Sequence, residues 1–460
     1  MLDLARLSRE FGSRPAIIEP DAETTYADLV KLVSTQASWL EGVGMASGDR
    51  VSLVCDEDRA TVVRALALLE CGCAVMPLSA QFGADERRQA QAAFGAQWTA
   101  NAVGPVERAV ASGEAAPGGE MTFAEPPVLG MLSSGSTGTP KVGLKSASQL
   151  RAYAAIYVEG LSLTPTDRVA VLLPFSFTYG FNSVMLGTLS AGASLVFPGS
   201  RHPRKVMAAI SAQGVTILGS TPTFLDLMVR FSEGVTDQLA AVRVCVATGE
   251  PLSQRIALRF AETFGKTLWN NYGSSEAGPI TVDRQNTAHG DAIALGRPYT
   301  GVEVTLRDEQ DRLVPDGEIG EIVVRSPATG LGYASGQEGS RPFDGDRFFT
   351  GDLGVLRDGA LYFAGRRKLL LNTAGRKVDP SEVEHILLQH PQVTDAAVVG
   401  HRDGDREVVR AVVVAEGALT AGELMGFCNE SLAAYKVPRI VEFRTSLPRN
   451  DTGKLMRTAL

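Results

Sequence analysis

The sequence has 460 residues, 44% of them hydrophobic and 21% charged, with 18 Phe, 9 Tyr and 3 Trp. That is the composition of a folded chain long enough for two or three domains of roughly 100–200 residues, and it excludes a disordered or fibrous one. With 44 basic against 52 acidic residues, for a net charge of −8, the chain lacks the basic footprint of general nucleic-acid binding.

No apolar run approaches the roughly 18 residues that span a bilayer; the best, residues 65–78, holds Glu70 and Pro77. The opening MLDLARLSREFG carries Asp3, Arg6, Arg9 and Glu10 and does not read as a secretory signal. The closing RTAL is neither a prenylation box nor a peroxisomal address. Cys55, Cys71, Cys73, Cys245 and Cys428 are odd in number and lie mostly in apolar surroundings. They predict structural, reduced thiols in a cytoplasmic protein.

The first strong element is an amphipathic helix over residues 25–42, capped by Thr25 and closed by Gly42 or Gly44. A buried strand follows at 51–55, then a helix at 60–71 and a second strand at 74–78. Apolar strands recur at 128–132, 169–173, 194–197, 216–218 and 242–247. Those from 169 on are rich in Val, Leu and Ala with little alternation, the texture of strands covered by helices on both faces. Past about residue 300 a period-2 signal takes over in VEVTLRDEQ, GEIGEIVVRS and GALYFAGR. Asp316-Gly317 and Asp358-Gly359 are turn signals there, and a small β subdomain is predicted over about 300–364. After the basic cluster Arg366-Arg367-Lys368 a fresh pattern begins. It holds a helix from Asp379, strands at 396–400 and 408–415, and a helix from Thr420, with the domain boundary at Lys368.

Residues 132–145, LSSGSTGTPKVGLK, are the most unusual segment. Five hydroxyl residues (Ser133, Ser134, Ser136, Thr137, Thr139) alternate with Gly135 and Gly138, and Lys141 and Lys145 follow. Amides exposed by glycine, hydroxyl donors and a cation together suit a polyphosphate. It is not a Walker loop, because Pro140 stands where the second glycine belongs and no Gly-Lys-Ser/Thr follows. A Ser/Gly stretch is also the composition of a flexible linker; the adjoining Pro-Lys and the apolar strand before it favour a built loop.

Ser133 to Lys141 match S/T-S/T-G-S/T-T-G-x-P-K at every position. In this the chain resembles the adenylate-forming enzymes, which include acyl- and aryl-coenzyme A ligases, peptide-synthetase adenylation domains and luciferases. Five more segments follow in the family's order. VATGEPL (246–252) is similar to the adenine-side loop, NNYGSSEAG (270–278) to the Tyr-Gly-x-Thr-Glu motif, and FFTGDLG (348–354) to Thr-Gly-Asp. GRRKLLLNTAGRKVDPSEVE (365–384) is similar to the hinge segment and PRNDTGK (448–454) to the carboxy-terminal lysine motif. The resemblance implies an α/β protein: a large amino-terminal domain of helix-covered sheets binding ATP and acid (1–367), with the small β subdomain inside it. A small, mobile α+β carboxy-terminal domain (368–460) would swing about Lys368.

Joining a carboxylate to the α-phosphorus of ATP brings two anions together, so charge must be cancelled before attack. The resemblance implies that Ser133, Ser134, Gly135, Ser136, Thr137, Gly138, Thr139 and Lys141 hold the phosphates, and that Glu276, with Thr139, holds Mg²⁺. Lys454 would bridge the substrate carboxylate and the α-phosphate, a compact charge on a long stem that a mobile domain can deliver and withdraw. Tyr272 would stack on adenine beside Gly249, Glu250 and Pro251, with Asn271 and Gly273 in the same motif. Asp352 would accept the ribose hydroxyls, with Arg366 as a further donor. Ser275 replaces the usual Thr but keeps the hydroxyl, and is grouped with Glu276 and Lys454 as catalytic. Gly375 would line the thiol tunnel, where a β-carbon would obstruct a pantetheine arm. Taken singly, Asp352 reads as a turn residue, Glu276 as a solvated carboxylate, Lys454 as an ordinary tail lysine and Gly375 as a hairpin glycine; their joint occurrence favours the site. Lys368 departs from the commoner Asp, and Asn372 stands where lysine is frequent.

The acid-binding stretch LPFSFTYGFNS (173–183) supplies Phe175, Phe177, Tyr179 and Phe181, with Gly180, Gly249 and no carboxylate. An α-ammonium unpaired in such a wall would cost several kcal/mol, so an α-amino acid is disfavoured. Phe-x-Tyr-Gly followed by a Gly-Glu loop resembles the benzoate-type ligases, which implies an aryl or other apolar acid. The same aromatics also fit a plain core. The acceptor is coenzyme A or the phosphopantetheine of an acyl carrier protein, with Arg402, Arg406 and Arg410 as candidate carrier-facing charges. A non-catalytic nucleotide-binding module is the alternative of another class, against which the presence of Lys454, Glu276 and Asp352 argues. A P-loop phosphohydrolase lacks its loop register. The expectation is a cytoplasmic ligase using ATP and Mg²⁺, with neither nucleic acid nor membrane as partner.

Overall fold

The computed structural model describes residues 2–109, 124–133, 141–289, 292–334, 342–367, 371–373, 376–403, 406–449 and 455–460. Local signals act where the pattern places them. Thr25 accepts the Asp28 N–H and opens the helix Tyr26–Gly42, which buries Leu29, Val33, Ala37 and Leu40. Asp58 caps Arg59–Glu70, Asp379 with Pro380 opens Pro380–Gln389, and Thr420 with Glu423 forms a capping box for Ala421–Ser431.

The chain divides into two compact units. One comprises Met1–Thr305, Val323–Thr350 and Asp358–Tyr362. It contains a nine-stranded sheet in the order Arg297–Pro298, Gly278–Asp283, Leu268–Ser274, Val244–Thr248, Ile217–Ser220, Arg168–Ala170, Ser194–Val196, Pro15–Glu19, Ala22–Thr25. The six strands from Leu268–Ser274 to Pro15–Glu19 run parallel, and their near-continuous burial is what helix-covered parallel strands require. A seven-stranded sheet holds, from one edge, Gly332–Tyr333, Lys141–Ser146, Pro127–Ser133, Ala74–Ser79, Arg50–Cys55, Trp98–Asn101 and Val106–Arg108. One apolar core draws side chains from both sheets, including Leu53, Val75, Leu129, Val169 and Leu195.

The second unit comprises Leu306–Ile322, Gly351–Arg357 and Phe363–Leu460. Its three-stranded sheet pairs Val393–Asp403 antiparallel with Arg406–Ala415, which runs parallel to Ile440–Phe443. Val383, Leu387, Val398, Val413, Leu424 and Cys428 close its core. The expected hinge residue, Lys368, lies outside the described residues.

One local expectation is corrected. The strand predicted over 169–173 ends at Ala170; Pro174 lies just beyond, and Tyr179–Gly187 winds into a nine-residue π-helix, an element frequent at functional sites. The turn signal at Asp316-Gly317 forms a turn, closed by the Glu318 N–H on the Pro315 carbonyl at 3.2 Å with Gly317 at φ 89°. A reversal that was not predicted precedes it at Asp308–Arg312, with the Asp308 carboxylate accepting the Gln310 and Arg312 N–H groups. Asp358 and Gly359 do take the left-handed φ values, 51° and 74°, that an Asp-Gly turn demands.

All five cysteines are free, and only Cys71 is less than buried. Among the described residues no helix is long and apolar enough to cross a membrane.

Near the amino-terminal ends of three adjacent parallel strands sits Asp167, 3% exposed. It accepts from the Thr164 N–H, the Thr216 hydroxyl and both Nε and Nη2 of Arg243, all at 2.7–2.8 Å. Burial alone would raise its pKa, but the Arg243 guanidinium and the hydrogen bonds outweigh it and hold the carboxyl down at about 2. The folded value lies below the unfolded one, so its contribution is present above about pH 4 and is lost as pH falls toward 2. Arg243 is partly exposed, which discounts the pair to about 2 kcal/mol. Asp167→Asn is expected to lower urea-unfolding stability at pH 7 by about that amount and to flatten the acid limb of the stability curve.

Candidate active site

Parallel strands end on one edge, and ligands of open α/β sheets bind beyond those carboxyl ends. Four neighbouring strands deliver the predicted residues there: Leu268–Ser274 runs into Ser275 and Glu276, Val244–Thr248 into Gly249 and Glu250, Ile217–Ser220 into Thr221, and Arg168–Ala170 toward Phe177.

Asn271, 8% exposed, pairs in register with Thr248. Its Nδ2 donates to Thr248 Oγ1 at 2.9 Å and its Oδ1 accepts from the Tyr299 hydroxyl at 2.7 Å. Gly249 has φ +84°, and a β-carbon there would lie 3.1 Å from Phe177 Cζ; the Phe177 ring thus packs directly against the loop that follows Val244–Thr248. Ser275 and Thr178 share a hydrogen bond of 2.7 Å between their hydroxyls, tying the Tyr-Gly-Ser-Ser-Glu segment to the aromatic stretch. Glu250 accepts from the backbone N–H and hydroxyl of Thr223, at 3.3 and 2.6 Å, while Pro251 is exposed. Tyr272 is half-buried on its strand, and the register shifts between it and Gly273, where a β-carbon would meet the Gly278 carbonyl at 2.6 Å.

The hydroxyl-rich segment joins the antiparallel strands Pro127–Ser133 and Lys141–Ser146, whose last pair is Ser133 with Lys141. Ser134, Gly135, Ser136, Thr137, Gly138 and Thr139 lie outside the described residues, as does the Ser133 side chain. Lys141 Nζ stands 5.2 Å from the centroid of the Tyr333 ring, and the Tyr333 hydroxyl donates to Glu276 Oε1 at 2.9 Å.

Lys145, the other lysine of residues 132–145, is enclosed. Its side chain is fully buried, and Nζ donates to the backbone carbonyls of Glu276 and Ala328, at 2.8 and 2.6 Å. Burial pushes the ammonium down to about 7, against the pull of the nearby Glu276 charge. This lysine serves two protein carbonyls.

The aromatic stretch divides. Phe175 and Phe181 are 0% exposed core residues, the former edge-on to Phe197. Tyr179 is buried edge-on to Tyr157, and a β-carbon on Gly180 would meet the Pro174 carbonyl. Phe177 is the partly exposed member.

Within the second unit, Asp352 is 6% exposed and accepts from Arg366 Nε at 2.7 Å, so the two expected ribose residues do meet. A parallel pair was not anticipated: Glu321 accepts from Arg367 Nη1 at 2.7 Å and from the Gly351 N–H at 3.2 Å. Lys454 and Gly375 lie outside the described residues; the strands flanking the latter, Leu371–Thr373 and Arg376–Val378, pair antiparallel. Arg410 is no free carrier-facing charge, since its guanidinium is committed to Glu442. Arg402 is exposed, and the Arg406 side chain lies outside the description.

Tyr333, Thr178, Thr248 and Lys145 as a strut were not foreseen. Tyr333 reaches Glu276 only by strand pairing, for which no spacing in LGYAS gives a signal; Thr178 lay unremarked inside FSFTYG. The donor chemistry at Glu276 fits Mg²⁺, a hard cation commonly held by one or two carboxylates together with substrate phosphates. The buried Asp352 carboxylate fits an acceptor for hydroxyls.

The family description AMP-binding enzyme matches residues 4–334, and AMP-binding enzyme C-terminal domain matches residues 382–454. A feruloyl-CoA synthase of an Amycolatopsis species is 30% identical over 455 residues, covering 94% of this chain and 92% of its own. ATP-bound MatB from Rhodopseudomonas palustris superposes with a TM-score of 0.87 at 25% identity, over 99% of this chain and 97% of that one. The o-succinylbenzoate coenzyme A synthetase MenE of Bacillus subtilis, solved with ATP and magnesium ion, shares the fold with a TM-score of 0.87 at 24% identity, over 99% and 98% of the two chains.

The contact between residues 177 and 249 makes a local prediction. Gly249→Ala places a β-carbon at positive φ against the Phe177 ring and is expected to cost about 1–2 kcal/mol of stability. Phe177→Ala in the same chain should return part of that loss, a coupling of at least about 0.5 kcal/mol in a denaturation double-mutant cycle.

Proposed function

The chain belongs to the AMP-binding enzymes and is an ATP-dependent acyl-adenylate-forming ligase; on that premise we propose that it activates an apolar, aryl carboxylic acid and passes the acyl group to coenzyme A. The observation that carries the reading of the acid is the Phe177 ring over Gly249, beside the Thr178–Ser275 hydrogen bond. An aromatic surface thereby meets the nucleotide-side loop with no carboxylate in residues 173–183 to pair an α-ammonium. Burying that ammonium unpaired would cost several kcal/mol, which supports an acid without an α-amino group.

We assign roles accordingly. Tyr272, with Gly249, Glu250 and Pro251, forms the adenine side; Asn271 holds the adjacent strands in register. Asp352, oriented by Arg366, accepts the ribose hydroxyls. Ser133 to Thr139 and Lys141 bind the phosphates. Mg²⁺, when bound, withdraws charge from the phosphate oxygens, and Glu276 with Thr139 would hold it. Lys454 brings the compact cation that lets carboxylate and α-phosphate approach, and most of the rate gain is electrostatic. Lys368 is the proposed hinge between residues 1–367 and 368–460, and Gly375 the proposed passage for the thiol. Transfer to a carrier-protein phosphopantetheine is the second reading of the acceptor; the commitment of Arg410 to Glu442 removes one of the charges that favoured it. The five free cysteines support a reducing, cytoplasmic setting.

Lys454→Ala is expected to lose acid-dependent pyrophosphate release by at least a hundredfold while circular dichroism and melting stay unchanged; normal release would overturn the assignment of Lys454. A pyrophosphate-release screen should rank substituted benzoates and cinnamates above straight-chain and α-amino acids. Gly375→Leu should spare adenylate formation and block thioester formation, and offering coenzyme A and a holo carrier protein to the loaded enzyme will separate the two acceptors.

A further inference from the structure

Strand Lys141–Ser146 leaves the hydroxyl-rich segment with Lys141, Gly143 and Lys145 on one face and Val142 and Leu144 on the other, by the period of two. Val142 and Leu144 enter an apolar cluster with Phe94 and Ala334. The opposite face is given over to Glu276. A β-carbon on Gly143 would stand 4.0 Å from Glu276 Cγ. Lys145, two residues on, donates to the Glu276 carbonyl and to that of Ala328.

The same carbonyl of Glu276 also accepts the Gly330 N–H at 2.8 Å. Tyr333 lies opposite Gly143 on the paired strand Gly332–Tyr333 and donates its hydroxyl to the Glu276 carboxylate. Main chain and side chain of Glu276 are therefore held by two neighbouring strands, of which one continues directly from the phosphate-binding segment. A buried ammonium is costly unless fully hydrogen-bonded. Methionine would fill similar space without that cost, so the ammonium is retained for the carbonyls it ties down.

We propose that Lys145 is a positioning residue that fixes the Glu276 segment relative to the phosphate-binding hairpin, so that the Glu276 carboxylate meets the divalent cation of the bound nucleotide. The proposal rests on the reading of Glu276 as the metal carboxylate. Lys145 acts through Glu276, its Nζ being engaged by the Glu276 and Ala328 carbonyls.

Equilibrium binding of ATP with Mn²⁺ (by electron paramagnetic resonance) and of ATP in chelator (by calorimetry) tests it on the full chain, using Lys145→Met, Lys145→Gln, Glu276→Gln and the double variant Lys145→Met/Glu276→Gln. Lys145→Met is expected to weaken Mn·ATP binding roughly tenfold while metal-free ATP binding changes less than twofold. Lys145→Gln, which keeps a donor, should lose less and remains informative if the methionine variant folds poorly. The double variant should bind Mn·ATP no worse than Glu276→Gln, because one residue acts through the other. Equal loss with and without metal, no loss, or additive losses in the double variant would overturn the proposal. If Glu276→Gln itself leaves Mn·ATP binding intact, the metal reading of Glu276 fails, a result separable from a silent Lys145.

Discussion

Parallel pairing obliges neighbouring strands to end on the same edge of a sheet, and the candidate site depends on that constraint. Leu268–Ser274, Val244–Thr248, Ile217–Ser220 and Arg168–Ala170 are neighbours in the sheet but scattered over a hundred residues of sequence. Their shared direction puts Ser275, Glu276, Gly249 and Phe177 at one rim. Asn271 maintains the arrangement at the point of greatest need, its amide spending both ends on Thr248 and Tyr299. At the other rim Asp167 and Arg243 hold the same strands by their amino-terminal ends.

The chemistry itself is a problem of like charges, and the structure separates the cations by their task. Lys141 and Lys145 are four residues apart on one strand face, yet they meet different environments. Lys141 stands at the ring of Tyr333, beside the hydroxyl-rich segment. Lys145 is enclosed by two carbonyls, which stabilise an ammonium that water no longer reaches. Glu276 lies between these positions, opposite the space that Gly143 leaves open. The metal role proposed for that carboxylate would gain from such restraint, because a displacement of about 1 Å at a catalytic group can cost a hundredfold in rate.

Much of this was legible in one dimension. Thr25, Asp379 and Thr420 announce helix starts by their own hydrogen-bonding chemistry, and each caps the helix it precedes. Continuous Val/Leu/Ala runs gave away the covered parallel strands. Asp352 and Arg366 were both singled out by motif, though their direct pairing is seen only in the structure. Less was legible where a residue's meaning depends on depth: Phe175 and Phe181 look like Phe177 in sequence, yet they lie in the core. Arg410 looked like surface charge until Glu442 on a neighbouring strand claimed it. The π-helix Tyr179–Gly187 has no periodic signature to betray it, since its extra residue per turn blurs the helical repeat.

The sequence by itself determined the order of elements, their caps and turns, and the set of motifs that mark this chain as an AMP-binding enzyme, because these rest on local backbone preference and on residue types at fixed spacing. Only the tertiary structure decided which lysine of residues 132–145 would be enclosed, that Tyr333 would reach Glu276, and that Thr178 would meet Ser275. Each of those contacts joins segments between 57 and 183 residues apart. Whether a side chain so placed faces water, a carbonyl or a carboxylate is set by how sheets stack and strands register, which no local pattern encodes.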